Sequence, residues 1–232
     1  MKSQFKKGLL HGIPIALGYL SVSFGFGIMA ARSGLSVFSA VMISVTNLTS
    51  AGQAAGVEII AAAGTLVEMA LTQLVINIRY SLMGISLSQK LDKSFTVPHR
   101  LVASYGITDE IFAVASAQIH PVTPAYMYGL ILISFLGWSM GTFLGAAAGE
   151  VLPLAVTNAM GIVLYGMFIA IIIPPSRKQK SVLYAVVIAA LLSIVFRYVI
   201  TAVSSGFAII ISACVAAAVA ALLFPIEEEA EE

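Results

Sequence analysis

Charge is scarce in this chain. Asp, Glu, Lys and Arg make up 10% of its 232 residues, where a soluble domain averages about 25%. That scarcity excludes an ordinary soluble globular protein. Cysteine occurs once, as Cys214 in an apolar run, so an internal disulfide is impossible and the thiol reads as a small buried side chain. The histidines, at positions 11, 99 and 120, lie far apart and near the ends of apolar runs, which argues against a metal centre. There is no Gly-x-x-x-x-Gly-Lys-Ser/Thr phosphate loop, no His-Glu-x-x-His and no Gly-x-Ser-x-Gly. The chain is therefore not expected to be an enzyme or to need a cofactor. A formal net charge of +1 says little about partners, and none of nucleic-acid type is expected.

What the chain has in abundance is apolar length. It is 59% hydrophobic, with a mean hydropathy of +1.00. Charge-free runs extend over 33–57, 111–149, 151–176, 181–196 and 198–226. A bilayer span needs about 20 apolar residues, so the length fits roughly six or seven spans and leaves no room for a soluble domain. The expected fold is all-α, a polytopic membrane helix bundle. Residues 1–226 form a single transmembrane domain, and the acidic tail 227–232 is disordered. Lys2, Lys6 and Lys7 precede an apolar run, but no small-residue cleavage site follows. This run reads as a retained first helix in the lipid bilayer.

The spans are expected at 9–31, 65–87, 125–149, 152–173, 181–200 and 205–224. Two further segments are interrupted. In 35–63 an apolar piece leads into Thr46-Asn47-Leu48-Thr49-Ser50-Ala51-Gly52-Gln53, and a second short piece follows. In 101–119, Gly106 and Thr108 precede the adjacent acids Asp109 and Glu110. Each reads as a broken or re-entrant segment, because unpaired backbone at membrane depth must face protein or water. Basic residues mark the cytoplasmic side. The clusters Lys2/Lys6/Lys7, Lys90/Lys93/Arg100 and Arg177/Lys178/Lys180 can all lie there only if both interrupted segments return to the side they left. An internal repeat is possible, with Phe24–Gly34 resembling Trp138–Gly149 as small-residue helix ends.

Three constellations carry candidate chemistry. Thr46, Asn47, Thr49, Ser50, Gly52 and Gln53 could line a polar solute, or could form an ordinary loop between spans. Thr108, Asp109 and Glu110 could relay an ion or bind an ammonium group; Thr108 or Asp109 could equally cap a helix starting near Ile111. Glu68, Asn77 and Arg79 lie on one span, and Glu68 and Arg79 share a face. They stand about 16 Å apart along the axis, too far for a direct ion pair, so each needs a partner on another helix. That row could line a pathway, or lock helices together.

The strings Thr46–Gln53, Ile76-Asn77-Ile78-Arg79-Tyr80-Ser81-Leu82, Ile107-Thr108-Asp109-Glu110-Ile111-Phe112, the glycine-rich Trp138 helix and Tyr165-Gly166-Met167-Phe168-Ile169-Ala170 occur in this order. Together they resemble the AzlC family of branched-chain amino acid permeases over nearly the whole chain. The resemblance implies export of branched-chain or similar apolar amino acids, usually with a small hydrophobic partner subunit of the AzlD type. Family members often carry Ala-Ser-Gln-Phe where this chain has Ala51-Gly52-Gln53-Ala54. Gln53 is kept and the aromatic is lost, which changes pocket volume.

The expectation is a secondary-type multi-pass transporter of the cell membrane with a cytoplasmic N-terminus. Thr46, Asn47, Thr49, Ser50, Gly52, Gln53, Asn77, Asp109 and Glu110 would bind the amino acid, while Glu68, Arg79 and Thr108 would couple or gate. The alternatives are a non-transporting scaffold or sensor subunit and a small-ion channel.

Overall fold

A computed structural model describes residues 2–149, 166, 169 and 172–225. Among them nine helices have defined bounds: α1 Lys2–Arg32, α2 Val37–Thr46, α3 Ser50–Ala61, α4 Leu66–Ser88, α5 Val97–Tyr105, α6 Asp109–Ser116, α7 Pro124–Gly149, α8 Lys180–Tyr198 and α9 Ser205–Leu223. The span expected at 152–173 and the tail 227–232 lie almost wholly outside the described residues. Four of these helices, α1, α7, α8 and α9, are long and apolar enough to cross a bilayer. The fold is an all-α membrane helix bundle. Its chain divides into two compact units, Met1–Val57 with Ile76–Leu164, and Glu58–Val75 with Tyr165–Glu232.

Both interrupted segments are broken helices. α2 starts at Ser36, whose hydroxyl accepts from the Ser39 N–H at 3.1 Å, and ends at Asn47, which leaves helical geometry. Thr49 then donates to Asn47 Oδ1 at 3.0 Å, and α3 opens one residue later. Short polar side chains that bond the local backbone and one another compete with helix continuation, which explains a break in this string. α5 ends at Gly106, and α6 restarts after Thr108, whose hydroxyl accepts from the Ile111 N–H at 3.3 Å. α5 begins four residues before the 101 expected from sequence. Thr96 and Pro98 form a helix start there, so the polar loop is shorter than its composition implied.

In the first unit α1 and α7 pack along their whole length, and they run parallel. A Cβ on Gly129 would overlap the carbonyl of Phe5, and one on Gly145 the carbonyl of Phe24. Only glycine lets the backbones approach that closely, and the register advances in the same direction along both helices. The likeness between Phe24–Gly34 and Trp138–Gly149 has its physical reason here, because the two strings are facing parts of one interface.

The end of this unit that holds the α1 and α7 N-termini also holds loop 89–96. Lys7 Nζ lies 5.9 Å from the Tyr126 ring centroid. Loop and α7 approach are tied by Asp92 N–H to Val122 C=O and Val122 N–H to Lys90 C=O, both 2.9 Å. Lys90 Nζ donates to the Ser116 carbonyl. The α5–α6 segment therefore leaves from and returns to this one end, as a re-entrant hairpin. The basic clusters Lys2/Lys6/Lys7 and Lys90/Lys93/Arg100 share that end.

The α2–α3 segment does the same from the opposite end. Ala40 of α2 and Val57 of α3 are fully buried in one cluster with Phe26 and Ala30 of α1 and Ala146 of α7. Within the first unit, Val57 therefore lies at the end opposite loop 89–96. The two breaks meet inside the unit. The Tyr105 hydroxyl at the end of α5 donates to the Val45 carbonyl at the end of α2. Leu48, between α2 and α3, is buried in one cluster with Tyr19, Ala103, Ile111 and Trp138.

In the second unit α8 and α9 pack as a hairpin, with the Tyr184 and Phe224 ring centroids 5.4 Å apart. α8 has no buried residue among those described. An apolar helix with so little protein cover suits contact with lipid.

Candidate functional site

The break at Thr108 is built around Tyr19. This tyrosine lies midway along α1, with its ring 5.2 Å from that of Trp138 in an edge-to-face pair. Its hydroxyl stands 2.6 Å from Thr108 Oγ1 and 2.5 Å from Glu110 Oε2. A phenol carries one proton. With Glu110 ionised, that proton goes to the carboxylate, and the Thr108 hydroxyl can donate to the phenol oxygen. Thr108 Oγ1 meanwhile caps α6 through Ile111.

Asp109 faces the other way, toward α4. Arg79 Nη1 lies 2.6 Å from Asp109 Oδ2. Arg79 Nη2 donates to the Tyr80 hydroxyl at 3.1 Å, and the guanidinium stacks 4.9 Å from the Tyr80 ring centroid. Three elements, α1, α4 and α6, thus converge on one polar cluster. Its formal charges are two carboxylates against one guanidinium.

The second break is lined differently. Gln53 is 1% exposed. Its amide donates to Ser44 Oγ at 2.9 Å, and Ser44 Oγ lies 2.7 Å from Thr142 Oγ1 of α7. Gln53 Oε1 is buried with no hydrogen-bond partner among the described residues, as is Trp138 Nε1. A buried acceptor left over in this way needs a donor from somewhere. Gly52 is buried beside it, and Ser50 opens α3. Thr46 bonds back to the Met42 carbonyl at 2.7 Å on the exposed side of α2.

The structure therefore brings Arg79, Thr108, Asp109 and Glu110 into one cluster, and places Asn47, Thr49, Ser50, Gly52 and Gln53 at the neighbouring break. Asn77 is half-buried on α4, two residues before Arg79. Glu68 and its partners both lie in the second unit. Its Oε1 accepts from Ser204 Oγ at 2.5 Å and from the Gly206 N–H at 2.9 Å, so it caps the N-terminus of α9. A carboxylate there complements the helix dipole.

Sequence reasoning missed Tyr19, Tyr80, Ser44 and Thr142. A signal existed for Tyr19. Membrane tyrosines collect at the interfaces, and this one stands deep inside an apolar run. Ser44 and Thr142 carried no signal, because lone hydroxyls are common in glycine-rich spans.

Two broken helices that enter from opposite ends of one unit, and whose breaks adjoin at Tyr105 and Leu48, define a class, the polytopic membrane proteins built on discontinuous helices. The family model for the AzlC protein matches residues 14–152, which include both breaks. The chain belongs to the AzlC family. It is 29% identical over 226 residues to the inner membrane protein YgaZ of Escherichia coli, covering 94% of this chain and 91% of that protein. It is 30% identical over 186 residues to an uncharacterized membrane protein of Archaeoglobus fulgidus, covering 79% and 81%. The branched-chain amino acid transport protein AzlC of Bacillus subtilis is 23% identical over 180 residues, covering 76% and 70%. No solved structure matches the chain.

Proposed function

We propose that this chain is a secondary-type transporter of the cell membrane that exports branched-chain or similar apolar amino acids, with a small hydrophobic AzlD-type subunit as partner. One observation carries the reading. Two half-helix N-termini adjoin the meeting breaks, and they differ in charge. α3 has no acidic residue in its first turn, while α6 carries Asp109 and Glu110 in its own. A bare helix N-terminus attracts an anion; one bearing two carboxylates against a single arginine attracts a cation. A zwitterion has one group for each. The substrate carboxylate would lie at the α3 start near Gly52 and Gln53, and its ammonium at Glu110 or Asp109. Apolar residues of α1 would meet its side chain. Arg79 and Thr108 would couple ammonium binding to the α6 break. Glu68 would gate through its cap on α9 within the second unit, with alternating exposure driven by an ion gradient. The shared basic end faces the cytoplasm in this reading, as the excess of Lys and Arg favours.

Reconstitution tests this function. The chain in liposomes, with its small partner, is expected to show counterflow of radiolabelled leucine, isoleucine or valine, and Asp109→Asn is expected to abolish it while leaving membrane insertion intact. Uncoupled conductance in place of counterflow would reveal a channel. Normal counterflow in Asp109→Asn would reject the site.

A further inference from the structure

Away from the two breaks, at the basic end of the first unit, a cavity of 530 Å³ opens between the α1 start, α5 and the α7 start. Lys2, Ser94, His99 and Thr123 give it a polar mouth. His99 Nδ1 is held 2.7 Å from the Tyr128 hydroxyl. A second cavity of 310 Å³ adjoins it, sharing Phe5 and Tyr128. This one is apolar, lined by Val102, Tyr105, Leu132 and Phe135. The two form one groove, polar and basic at its mouth and greasy along its length.

Length and charge say what fits. From Pro124 to Phe135 the groove follows α7 for twelve residues, which over the intervening rises of about 1.5 Å each comes to about 17 Å. One leaflet contributes half of a hydrocarbon core about 30 Å thick. The groove thus spans roughly the depth of one leaflet, from the interface inward. Around its mouth, residues 2–12 and 86–100 hold Lys2, Lys6, Lys7, Lys90, Lys93 and Arg100 against Asp92 alone. Asp92 accepts from both the N–H and the hydroxyl of Ser94, and its single negative charge leaves the mouth strongly basic. Basic pockets at the end of a membrane bundle recognise anionic headgroups.

We infer that this groove seats one anionic phospholipid, its phosphate at Lys2 and His99 and one acyl chain along Phe5, Val102, Leu132 and Phe135. The tip of that chain reaches Tyr105, the residue that ties α5 to the end of α2. Lipid occupancy therefore bears on the joint between the two broken helices, without involving the groups assigned to the amino acid.

Native mass spectrometry of the detergent-purified full chain tests this, after exchange into mixed micelles of phosphatidylglycerol and phosphatidylcholine. Retention of one phosphatidylglycerol, at least tenfold over phosphatidylcholine, is expected. Val102→Trp, at a position 60% exposed on the groove, is expected to reduce that retention at least tenfold. Lys2→Gln with His99→Gln is expected to remove the headgroup preference while leaving the size-exclusion profile unchanged. Should Val102→Trp not fold, the headgroup variant decides alone. Equal retention of the two lipids in the unaltered chain, retention unchanged in both variants, or cross-linking of a photoreactive residue at 102 to a co-expressed polypeptide rather than to lipid would each overturn the inference.

Discussion

Glu110 depends on the Tyr19 phenol, whereas Asp109 depends on Arg79, so the adjacent acids can be separated by substitution. Tyr19→Phe keeps the ring against Trp138 and removes only the hydroxyl. A hydrogen bond to a charged group contributes about 1.5–3 kcal/mol, equivalent to about ten- to hundredfold. Tyr19→Phe is expected to raise the half-saturating amino acid concentration by about tenfold in the liposome assay and to lower the melting temperature in detergent, with expression and membrane insertion retained. An unaltered concentration dependence would remove Tyr19 from the site. Outside the membrane, the Ser94 hydroxyl, and then its N–H, hold the Asp92 carboxyl below the usual carboxylate range. A depressed carboxylate contributes stability that is complete above the unfolded value of about 3.9 and is lost as pH falls through the lower folded value. Ser94→Ala should therefore destabilise the loop near neutral pH and shrink that difference in strong acid. Melting temperatures of both forms between pH 6 and pH 3 would show it, and a difference that grows on acidification would contradict the assignment.

At the scale of elements, α6 is short, and its start rests on the Thr108 cap. Replacing such a cap by alanine costs about 1 kcal/mol. Thr108→Ala is expected to lower the melting temperature in detergent and to weaken transport by loosening Tyr19, while Thr108→Ser restores both. A serine variant no better than alanine would mean that the methyl group, and not the hydroxyl, matters. The α6 break was legible in the sequence for the same reason, because Gly106 and Thr108 stop and restart a helix by local chemistry. So was the α2–α3 break, through Asn47 and Thr49. The α5 start was not, since residues 97–100 include His99 and Arg100 and read as loop, while Pro98 in the first turn, after extended backbone at Thr96, favours a helix start. Nor was the Arg79–Asp109 pair legible as a pair. Spacing along one helix says which face a side chain occupies, but the neighbour on that face comes from tertiary packing. The same limit hid the fate of Glu68, whose partners lie 136 and 138 residues further along the chain.

For the molecule as a whole, the parallel packing of α1 and α7 constrains topology more than hydropathy can. If α1 and α7 both cross upward, the chain between them must cross back an odd number of times. Exactly one of the two broken segments crossing fully is thereby excluded; both returning, as their shared ends show, is the geometry found. α1 has 31 residues, about 46 Å at about 1.5 Å each, so both its ends clear a hydrocarbon core about 30 Å thick. Single cysteines placed on a Cys214→Ser background at Gln4, Ser36 and Lys93, all exposed, therefore report the arrangement through a membrane-impermeant thiol reagent. Positions 4 and 93 are expected to react from the same side, the cytoplasmic one if Lys and Arg set orientation, and position 36 from the other. If 93 labelled together with 36 and against 4, the α5–α6 hairpin and the parallel glycine-packed pair would fail together. The two half-helix N-termini would then have no reason to meet at the depth of Tyr19.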